Sequence, residues 1–317
     1  MSSNVSVMYS LAYENIVLSA PKTIHNGICT FLDSSFPDKL PLLFVEIFRV
    51  AEDVIKKLLC ELNVELMKCK INKLDLAHFY FDEKQTMYII RPCGLGIFHF
   101  DKRTITWYTD KNDLDNRNMF HIFVLDPISL VLPIKNKIVF HGASIRDDNS
   151  SVAFLGRSGN GKSTVSRLLT EQSFYRKNSD DTFVVEVINN HILLYPINSG
   201  EGYSYELAEQ ILLNNDDYKV LYRTEEKCYL LNTKADLSPQ PLVKIFILKR
   251  QTNEKENYTN LFELDSSEAL LHILNSQTNI IFPYLTRKME LYRMISKQVK
   301  ITIVDYNNLC DVSKIII

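Results

Sequence analysis

The chain has 317 residues, of which 46% are hydrophobic and 23% charged, the composition of a globular protein with one large or two ordinary domains. Its 36 basic and 38 acidic residues give a net charge of −2, which argues against nucleic acid or an anionic membrane as the main partner. No apolar run approaches the length of a membrane span, because the best one, residues 121–134, contains Asp126 and two prolines. The six cysteines form no C-x-x-C pair and no signal peptide is evident, so we expect a cytoplasmic protein with reduced thiols.

The first part of the chain predicts mainly β-structure. Residues 4–9 and 16–19 are typical of short strands, whereas residues 43–62 carry apolar side chains at helical spacing and predict an amphipathic helix. Alternating segments then predict a meander of hairpins at residues 78–81, 87–90, 96–100 and 104–108. The polar run at residues 111–118 is the best linker candidate. We therefore expect a β-rich (α+β) accessory or substrate-recognition domain over residues 1–115.

The second part, residues 116–317, alternates helical and strand patterns and predicts an α/β domain. It opens with an apolar helix at residues 119–132, interrupted at Pro127, and a strand-like stretch at residues 139–145. Further strands are predicted at residues 182–188, 243–248 and 300–304. Asp265 is placed to cap a helix, and residues 284–297 predict another.

The run SVAFLGRSGNGKSTVSRLLT at residues 151–170 organises this second domain. Its residues fit G-x-x-x-x-G-K-[ST], the P-loop, between a predicted buried strand and a predicted helix. Backbone amides of such a loop surround a polyphosphate, and side chains would block its approach. The candidate nucleotide-binding residues are Gly156, Arg157, Ser158, Gly159, Asn160, Gly161, Lys162, Ser163 and Thr164. We expect Lys162 to reach the β- and γ-phosphates of ATP and the Ser163 hydroxyl to ligate Mg²⁺.

Asp180 and Asp181 follow about 20 residues after this loop, at the start of a predicted strand. Adjacent carboxylates repel each other unless a cation or a shared proton compensates, and Mg²⁺ held between protein and nucleotide would supply that cation. One of the two could also accept a proton from an attacking hydroxyl. The alternative is an exposed turn with two solvated aspartates.

Other candidates for an acidic group after an apolar strand are residues 301–305 (ITIVD) and 122–126 (IFVLD), patterns that are common by chance. Glu201, between Gly200 and Gly202, belongs either to a mobile substrate loop or to a plain connection. A lone histidine such as His141 is more often packed in a core than catalytic.

The segments His141-Gly142, GRSGNGKST and Ser179-Asp180-Asp181 together resemble the HPr kinase/phosphorylase-like kinases, of the P-loop branch that includes phosphoenolpyruvate carboxykinase. The chain is most similar to the HPr-kinase-like proteins of peptide-modification gene clusters, and the resemblance covers roughly residue 119 to the end. It implies an α/β P-loop kinase core with Asp180 as general base, Asp181 assisting with metal or substrate, and His141 near the transferred phosphoryl group. Ser199-Gly200-Glu201-Gly202 stands where that family carries Glu-Ile-Arg-Gly-Leu-Gly.

The sequence therefore predicts an ATP- and Mg²⁺-dependent kinase. Its catalytic residues would be Asp180, Asp181, His141 and Lys162, with Ser163 and Asp181 on the metal. The preferred acceptor is a serine of a peptide or protein. The alternatives are a kinase of a small hydroxylated metabolite, and a regulatory or scaffold protein that binds nucleotide without transferring phosphate. The oligomeric state stays open, a homo-oligomer included.

Overall fold

The protein was analysed as a computed structural model. It describes residues 4–11, 14–29, 32–34, 40–61, 69–70, 78–81, 86–91, 93–110, 116–172, 174–189, 191–197, 200–223, 225, 227–251, 258–276 and 285–308. The chain divides into two compact units, Met1–Val131 and Leu132–Ile317. This division falls later than residue 115, because the segment after that residue packs within the first unit: Phe123 meets the Trp107 ring edge-on, and Asp126 pairs with Arg91. Most of the predicted linker, residues 111–115, lies outside the described residues.

The described strands of the first unit form one mixed sheet in the order β3-β1-β2-β4-β9-β8-β7-β6-β5. The predicted strands and the meander are confirmed, and the turn at residues 82–85 lies outside the described residues. The elements are β1 (Asn4–Leu11), β2 (Glu14–Pro21), α1 (Lys22–Ile28), β3 (Asp33–Ser34), β4 (Leu43–Arg49), α2 (Glu52–Glu61), β5 (Cys69–Lys70), β6 (His78–Phe81), β7 (Thr86–Arg91), β8 (Gly94–His99) and β9 (Thr104–Thr109).

The helix predicted over residues 43–62 is wrong in its first half. Residues Leu43–Arg49 form β4, which lies between β2 and β9 and pairs parallel to both, and only Glu52–Glu61 is helical. Leu43, Val45 and Ile47 are fully buried while the residues between them are more exposed, which is the period of two of a strand. Tertiary pairing on both edges decided between the two periods.

The predicted interruption at Pro127 is also wrong, because residues 116–135 are helical throughout. The segment comprises α3 (Asn116–Phe120), a π-helical turn (His121–Leu125), α4 (Asp126–Val131) and a 3₁₀ turn (Leu132–Lys135). Wide π-helical turns move the backbone carbonyls that a proline ring would otherwise strike. The run Asn118–Lys135, with mean hydropathy 1.3, is therefore long and apolar enough to cross a membrane, contrary to the expectation from its prolines. It is 61% buried, and a core helix passes the same test of length and composition.

The second unit is built on a sheet in the order β10-β14-β15-β19-β12-β11-β13, to which β21 and then β20 add beside β19. Three further strands form a small antiparallel sheet, β16-β18-β17. The strands are β10 (Lys137–His141), β11 (Ala143–Arg146), β12 (Ser151–Leu155), β13 (Arg176–Ser179), β14 (Thr182–Ile188), β15 (His191–Pro196), β16 (Glu201–Tyr203), β17 (Tyr218–Arg223), β18 (Cys228–Asn232), β19 (Gln240–Arg250), β20 (Thr259–Glu263) and β21 (Lys300–Tyr306). The helices are α5 (Lys162–Gln172), α6 (Tyr205–Asn214), α7 (Ser266–Ser276) and α8 (Leu285–Gln298).

Helices cover both faces of the central strands of this unit, which makes the fold of mixed α/β class. Val165 and Leu169 of α5 pack on one face, against Phe154 and its neighbours. On the other face, α7 and α8 pack through residues such as Ile273 and Leu291. Every residue of β12 is buried, as a strand covered on both faces requires. The Asp265 cap is confirmed, since its Oδ1 accepts from the Ser267 and Glu268 amides at 2.8 and 2.9 Å.

The strand predicted over residues 139–145 is two strands that turn apart at Gly142. β10 pairs with β14, and β11 pairs with β12. A Cβ on Gly142 would lie 2.6 Å from the Phe154 carbonyl oxygen, so the close approach at this corner requires glycine. The corner brings the end of β10 to the same edge of the sheet as the end of β12.

Candidate functional site

The carboxyl ends of the parallel strands β12, β19 and β21 meet at one edge of the second unit's sheet. The end of β13 reaches the same edge, since Ser179 pairs with Ser144 on β11, beside the end of β12. Ligands of open α/β sheets bind preferentially outside the carboxyl ends of parallel strands. The loop after β12 and the two aspartates after β13 therefore face a common region.

The loop between β12 and α5 requires its glycines. Gly156, Gly159 and Gly161 have φ angles of 146°, 85° and 76°, a region that L-residues rarely adopt. A Cβ on Gly156 would lie 2.6 Å from the Leu248 carbonyl oxygen, whereas a Cβ on Gly159 would have nothing within 4 Å. Gly156 is therefore needed for both conformation and space, and Gly159 for conformation alone.

Two hydrogen bonds tie this loop to the neighbouring parallel strands. The Asn160 side-chain amide donates to the Leu248 carbonyl at 2.6 Å, and the Tyr306 hydroxyl donates to the Asn160 carbonyl at 2.7 Å. Burial raises the pKa of Tyr306 to about 12, so its hydroxyl remains a donor at neutral pH. These bonds fix the loop while the first amides of α5 keep no partner within the helix. Such a helix terminus favours an anion.

Lys162 is buried beneath the loop. Its Nζ donates to the carbonyl oxygens of Gly156 and Arg157 at 2.9 and 3.2 Å. Burial lowers the pKa of Lys162, while Asp181 and Asp180 act in the opposite direction. The lysine therefore lies within electrostatic reach of both aspartates. Its backbone partners are neutral, so a phosphate would be a stronger partner for the same ammonium group.

Asp180 lies against the start of α5. Its Oδ1 accepts a hydrogen bond from the Ser163 hydroxyl at 2.6 Å, and its Oδ2 lies 3.2 Å from Lys177 Nζ. Ser163 is exposed and Asp180 half-buried. Of the two predicted metal ligands, Ser163 and Asp181, the serine therefore contacts Asp180 directly.

Asp181 contacts a different partner. Its carboxylate lies 3.5 Å from Nδ1 of His141, and its carbonyl accepts from the Gly142 amide at 3.0 Å. Its φ of 75° is unusual for a residue other than glycine, and such backbone strain is concentrated at functional sites. The structure therefore brings together two contact pairs, Ser163 with Asp180 and His141 with Asp181. Among the remaining predicted residues, Arg157, Ser158 and Gly159 are exposed at the loop tip, and Thr164 is half-buried in α5.

The donor atoms near the loop fit a hard cation. Hydroxyl and carboxylate oxygens are the ligands that Mg²⁺ prefers, with substrate phosphates completing its shell. Ser163, Asp180 and Asp181 supply such oxygens. Among the described residues, no group of three or more His, Cys, Asp or Glu side chains is placed to hold a metal ion by itself. A metal here would accordingly depend on the phosphates of a nucleotide.

No sequence pattern singled out Lys177, which lies between the carboxylates of Asp180 and Glu201. Its Nζ lies 3.1 Å from Glu201 Oε2 as well as 3.2 Å from Asp180 Oδ2, and the Tyr203 hydroxyl donates to Glu201. Burial tends to lower the pKa of Lys177, but Glu201 and Asp180 outweigh it and raise the pKa overall. Glu201 comes from β16, so only the tertiary fold brings this carboxylate to the lysine.

Two cavities of about 540 Å³ each lie near this site, one lined by Asp180 and the other by Gly156, Arg157 and Asn160 of the loop. The Lys177 cavity lies between α5, β13 and the small sheet, and its charged lining residues are Arg146, Arg167, Glu171, Arg176, Lys177, Asp180, Glu201, Lys234 and Asp236. The His272 cavity lies beside the other end of the loop, and it is lined by Gly156, Arg157, Asn160, Ile247, Leu248, Lys249, Arg250, Gln251, His272 and Asn275.

The rival acidic patterns have different positions. Residues 122–126 are helical rather than a strand, and Asp126 pairs with Arg91 at 2.5 Å in the first unit. Residues 301–305 do form a strand within β21, and Asp305 pairs in register with Lys249 of β19. The Asp180 carboxylate, by contrast, contacts the loop's own serine.

Comparisons with known proteins establish no family for the chain. No protein-family model matches it, and no curated protein matches it. Among solved structures, it is similar to the HPr(Ser) kinase/phosphatase from Coxiella burnetii, at 10% sequence identity. That match covers 56% of this chain and 93% of the other, with a TM-score of 0.29.

Proposed function

We propose that this protein is an ATP- and Mg²⁺-dependent phosphotransferase that moves the γ-phosphoryl group of ATP to a hydroxyl, preferably of a serine in a peptide or protein. The observation that carries the proposal is the 2.6 Å contact between the Ser163 hydroxyl and the Asp180 carboxylate. It joins the helix end that would hold phosphates to a carboxylate that can accept a proton. Positioning and charge neutralisation supply most of the catalysis in phosphoryl transfer, and both need this proximity.

The amides of the glycine loop and of the start of α5 would bind the phosphates. Lys162 would exchange its bonds to the Gly156 and Arg157 carbonyls for bonds to phosphate oxygens. Asp180 would accept the proton of the acceptor hydroxyl while the hydroxyl oxygen bonds to the γ-phosphorus. The bond from the γ-phosphorus to the β,γ-bridging oxygen would break, and that oxygen would leave with ADP. Ser163 and Asp181 would hold Mg²⁺, which would neutralise charge on the phosphates. His141 would lie beside Asp181, near the transferred group.

The acceptor would approach Asp180 through the Lys177 cavity, because Asp180 is one of its lining residues. Tyr203, Tyr218 and Leu207 contribute aromatic and apolar surface to the same wall. A serine side chain with its flanking residues fits such a groove. The cavity's volume, about 540 Å³, also lies within the range of small-molecule sites, and this observation favours a small hydroxylated metabolite as the second candidate acceptor.

The test is release of ADP from Mg·ATP, with and without free serine, serine-containing peptides, HPr and small polyols. We expect one acceptor class to stimulate release and Lys162→Ala to abolish it. Lys297→Ala, an exposed lysine at the end of α8, is the matched control and should behave as wild type. ATP binding without stimulation by any acceptor would favour a nucleotide-binding regulatory protein, and absence of ATP binding would refute the proposal.

A further inference from the structure

The His272 cavity lies on the opposite side of the glycine loop from the aspartates. On one side of β12 lie β11 and then β13, which Asp180 follows in the chain. On the other side of β12 lies β19. The His272 cavity is walled by the end of β19 and by α7, and it shares Gly156, Arg157 and Asn160 with the loop. A nucleoside triphosphate whose terminal phosphate faces Asp180 must extend its other end away from that side. The cavity is where such an end would arrive.

The charge of the His272 cavity argues against its being a second acceptor site. Three of its described lining residues are cations, Arg157, Lys249 and Arg250, and none of the described lining residues is a carboxylate. A hydroxyl bound there would meet no carboxylate of the described lining, and only the His272 imidazole could accept its proton. Cations and amide groups fit phosphate, ribose hydroxyls and the polar edge of a base instead.

The remaining lining residues suit a flat heterocycle. Ile247, in the core that α7 covers, provides an apolar floor, while Gln251 and Asn275 carry amides that can both donate and accept hydrogen bonds. Burial lowers the pKa of His272 from its ordinary value of 6.5, and Lys249 lowers it further, so the imidazole is neutral at pH 7. A neutral aromatic ring beside an apolar floor can pack against a base.

We propose that the His272 cavity binds the base and ribose of the nucleoside triphosphate whose phosphates occupy the glycine loop. This inference rests on the proposed function, because it needs the phosphates to lie in that loop. It assigns the two sides of the loop different tasks: the nucleoside is held beside β19 and α7, and the acceptor beside β13 and the small sheet.

The experiment compares ATP with inorganic tripolyphosphate, which shares the phosphates but lacks the nucleoside. Dissociation constants of both Mg²⁺ complexes are measured by calorimetry for wild type, for His272→Ala/Asn275→Ala, and for Asn275→Ala alone, an exposed position where folding is not at risk. We expect the double variant to bind ATP about tenfold more weakly and tripolyphosphate as wild type does. Retained tripolyphosphate binding also shows that the loop is folded. The control His191→Ala, an exposed histidine outside the cavity, should change neither constant.

The outcomes separate this inference from the proposed function. Equal binding of ATP and tripolyphosphate by wild type, or unchanged ATP binding by the double variant, would overturn the nucleoside site while leaving the phosphate site intact. If wild type binds neither ligand, the proposed function fails and the inference fails with it. GTP, measured in parallel, reports which base the amides of Gln251 and Asn275 accept.

Discussion

The Lys177 and His272 cavities have the same volume, about 540 Å³, yet their charges differ. The described lining of the Lys177 cavity contains five cations and four carboxylates, whereas that of the His272 cavity contains three cations and no carboxylate. Only the first cavity is lined by Asp180, the carboxylate that contacts Ser163 at the start of α5, so it is the better placed for the proposed proton transfer. The two cavities cannot be told apart by volume, but the charges of their lining residues distinguish them.

The largest effect should come from Asp180→Asn. Asparagine has nearly the same shape and can still accept from Ser163, but it cannot take up the acceptor's proton at neutral pH. We expect the turnover number to fall by roughly 100-fold or more, with ATP affinity changed by about threefold at most. Single-turnover phosphoryl transfer and calorimetry measure the two quantities.

Asp216→Asn, at an exposed loop position, is the control for the removal of one charge. Transfer at the wild-type rate by Asp180→Asn would remove Asp180 from the chemistry, and with it the functional distinction between the cavities.

Gly156→Ala should affect both sides of the loop together. The added Cβ would lie 2.6 Å from the Leu248 carbonyl oxygen, and a φ of 146° is strained for alanine. The loop must therefore change shape. We expect affinities for ATP and tripolyphosphate to fall equally, by on the order of tenfold or more, since a cost of 1.4 kcal/mol is already tenfold.

Gly159→Ala is the matched control, because it has a similarly unusual φ but open space around its Cβ. A loss no larger for Gly156→Ala than for Gly159→Ala would show that the contact with β19 does not shape the loop.

Lys177→Met should reduce turnover by about tenfold through the position of Asp180. Methionine fills a similar volume, but it leaves Asp180 and Glu201 without the cation between them. We expect KM for ATP to stay unchanged, while Lys177→Arg restores part of the lost turnover. Steady-state kinetics, with thermal melting as a check on folding, test this.

Lys297→Met is the control for loss of an exposed lysine. If Lys177→Arg and Lys177→Met lose turnover to the same extent and their melting temperatures fall equally, Lys177 has a structural role alone.

Much of the structure around the second unit's glycine loop could be predicted from the sequence. The strand, loop and helix at residues 151–170 form as expected, because glycines at fixed spacing between a buried apolar run and an amphipathic helix permit few other conformations. Asp180 and Asp181 precede a strand as predicted, and Asp265 caps its helix. These features depend on residues close together in the chain.

The first unit shows where local pattern was insufficient. Leu43–Arg49 satisfied the spacing of a helix and of a strand, and pairing with β2 and β9 decided for the strand. Pro127 was expected to interrupt a helix, but the π-helical turn before it accommodates the ring within a continuous helical segment. For Leu43–Arg49 the deciding interactions come from strands outside the segment.

By itself, the sequence determined the glycine loop, its lysine and serine, and the adjacent aspartates, since backbone conformation and charge repulsion act over a few residues. Only the tertiary structure decided which groups meet. It placed Ser163 against Asp180 and His141 against Asp181, brought Glu201 to Lys177, and opened cavities of different charge beside Asp180 and beside the loop. Those contacts join residues from separate strands, and the order of the strands in a sheet is set by long-range packing rather than by any local pattern.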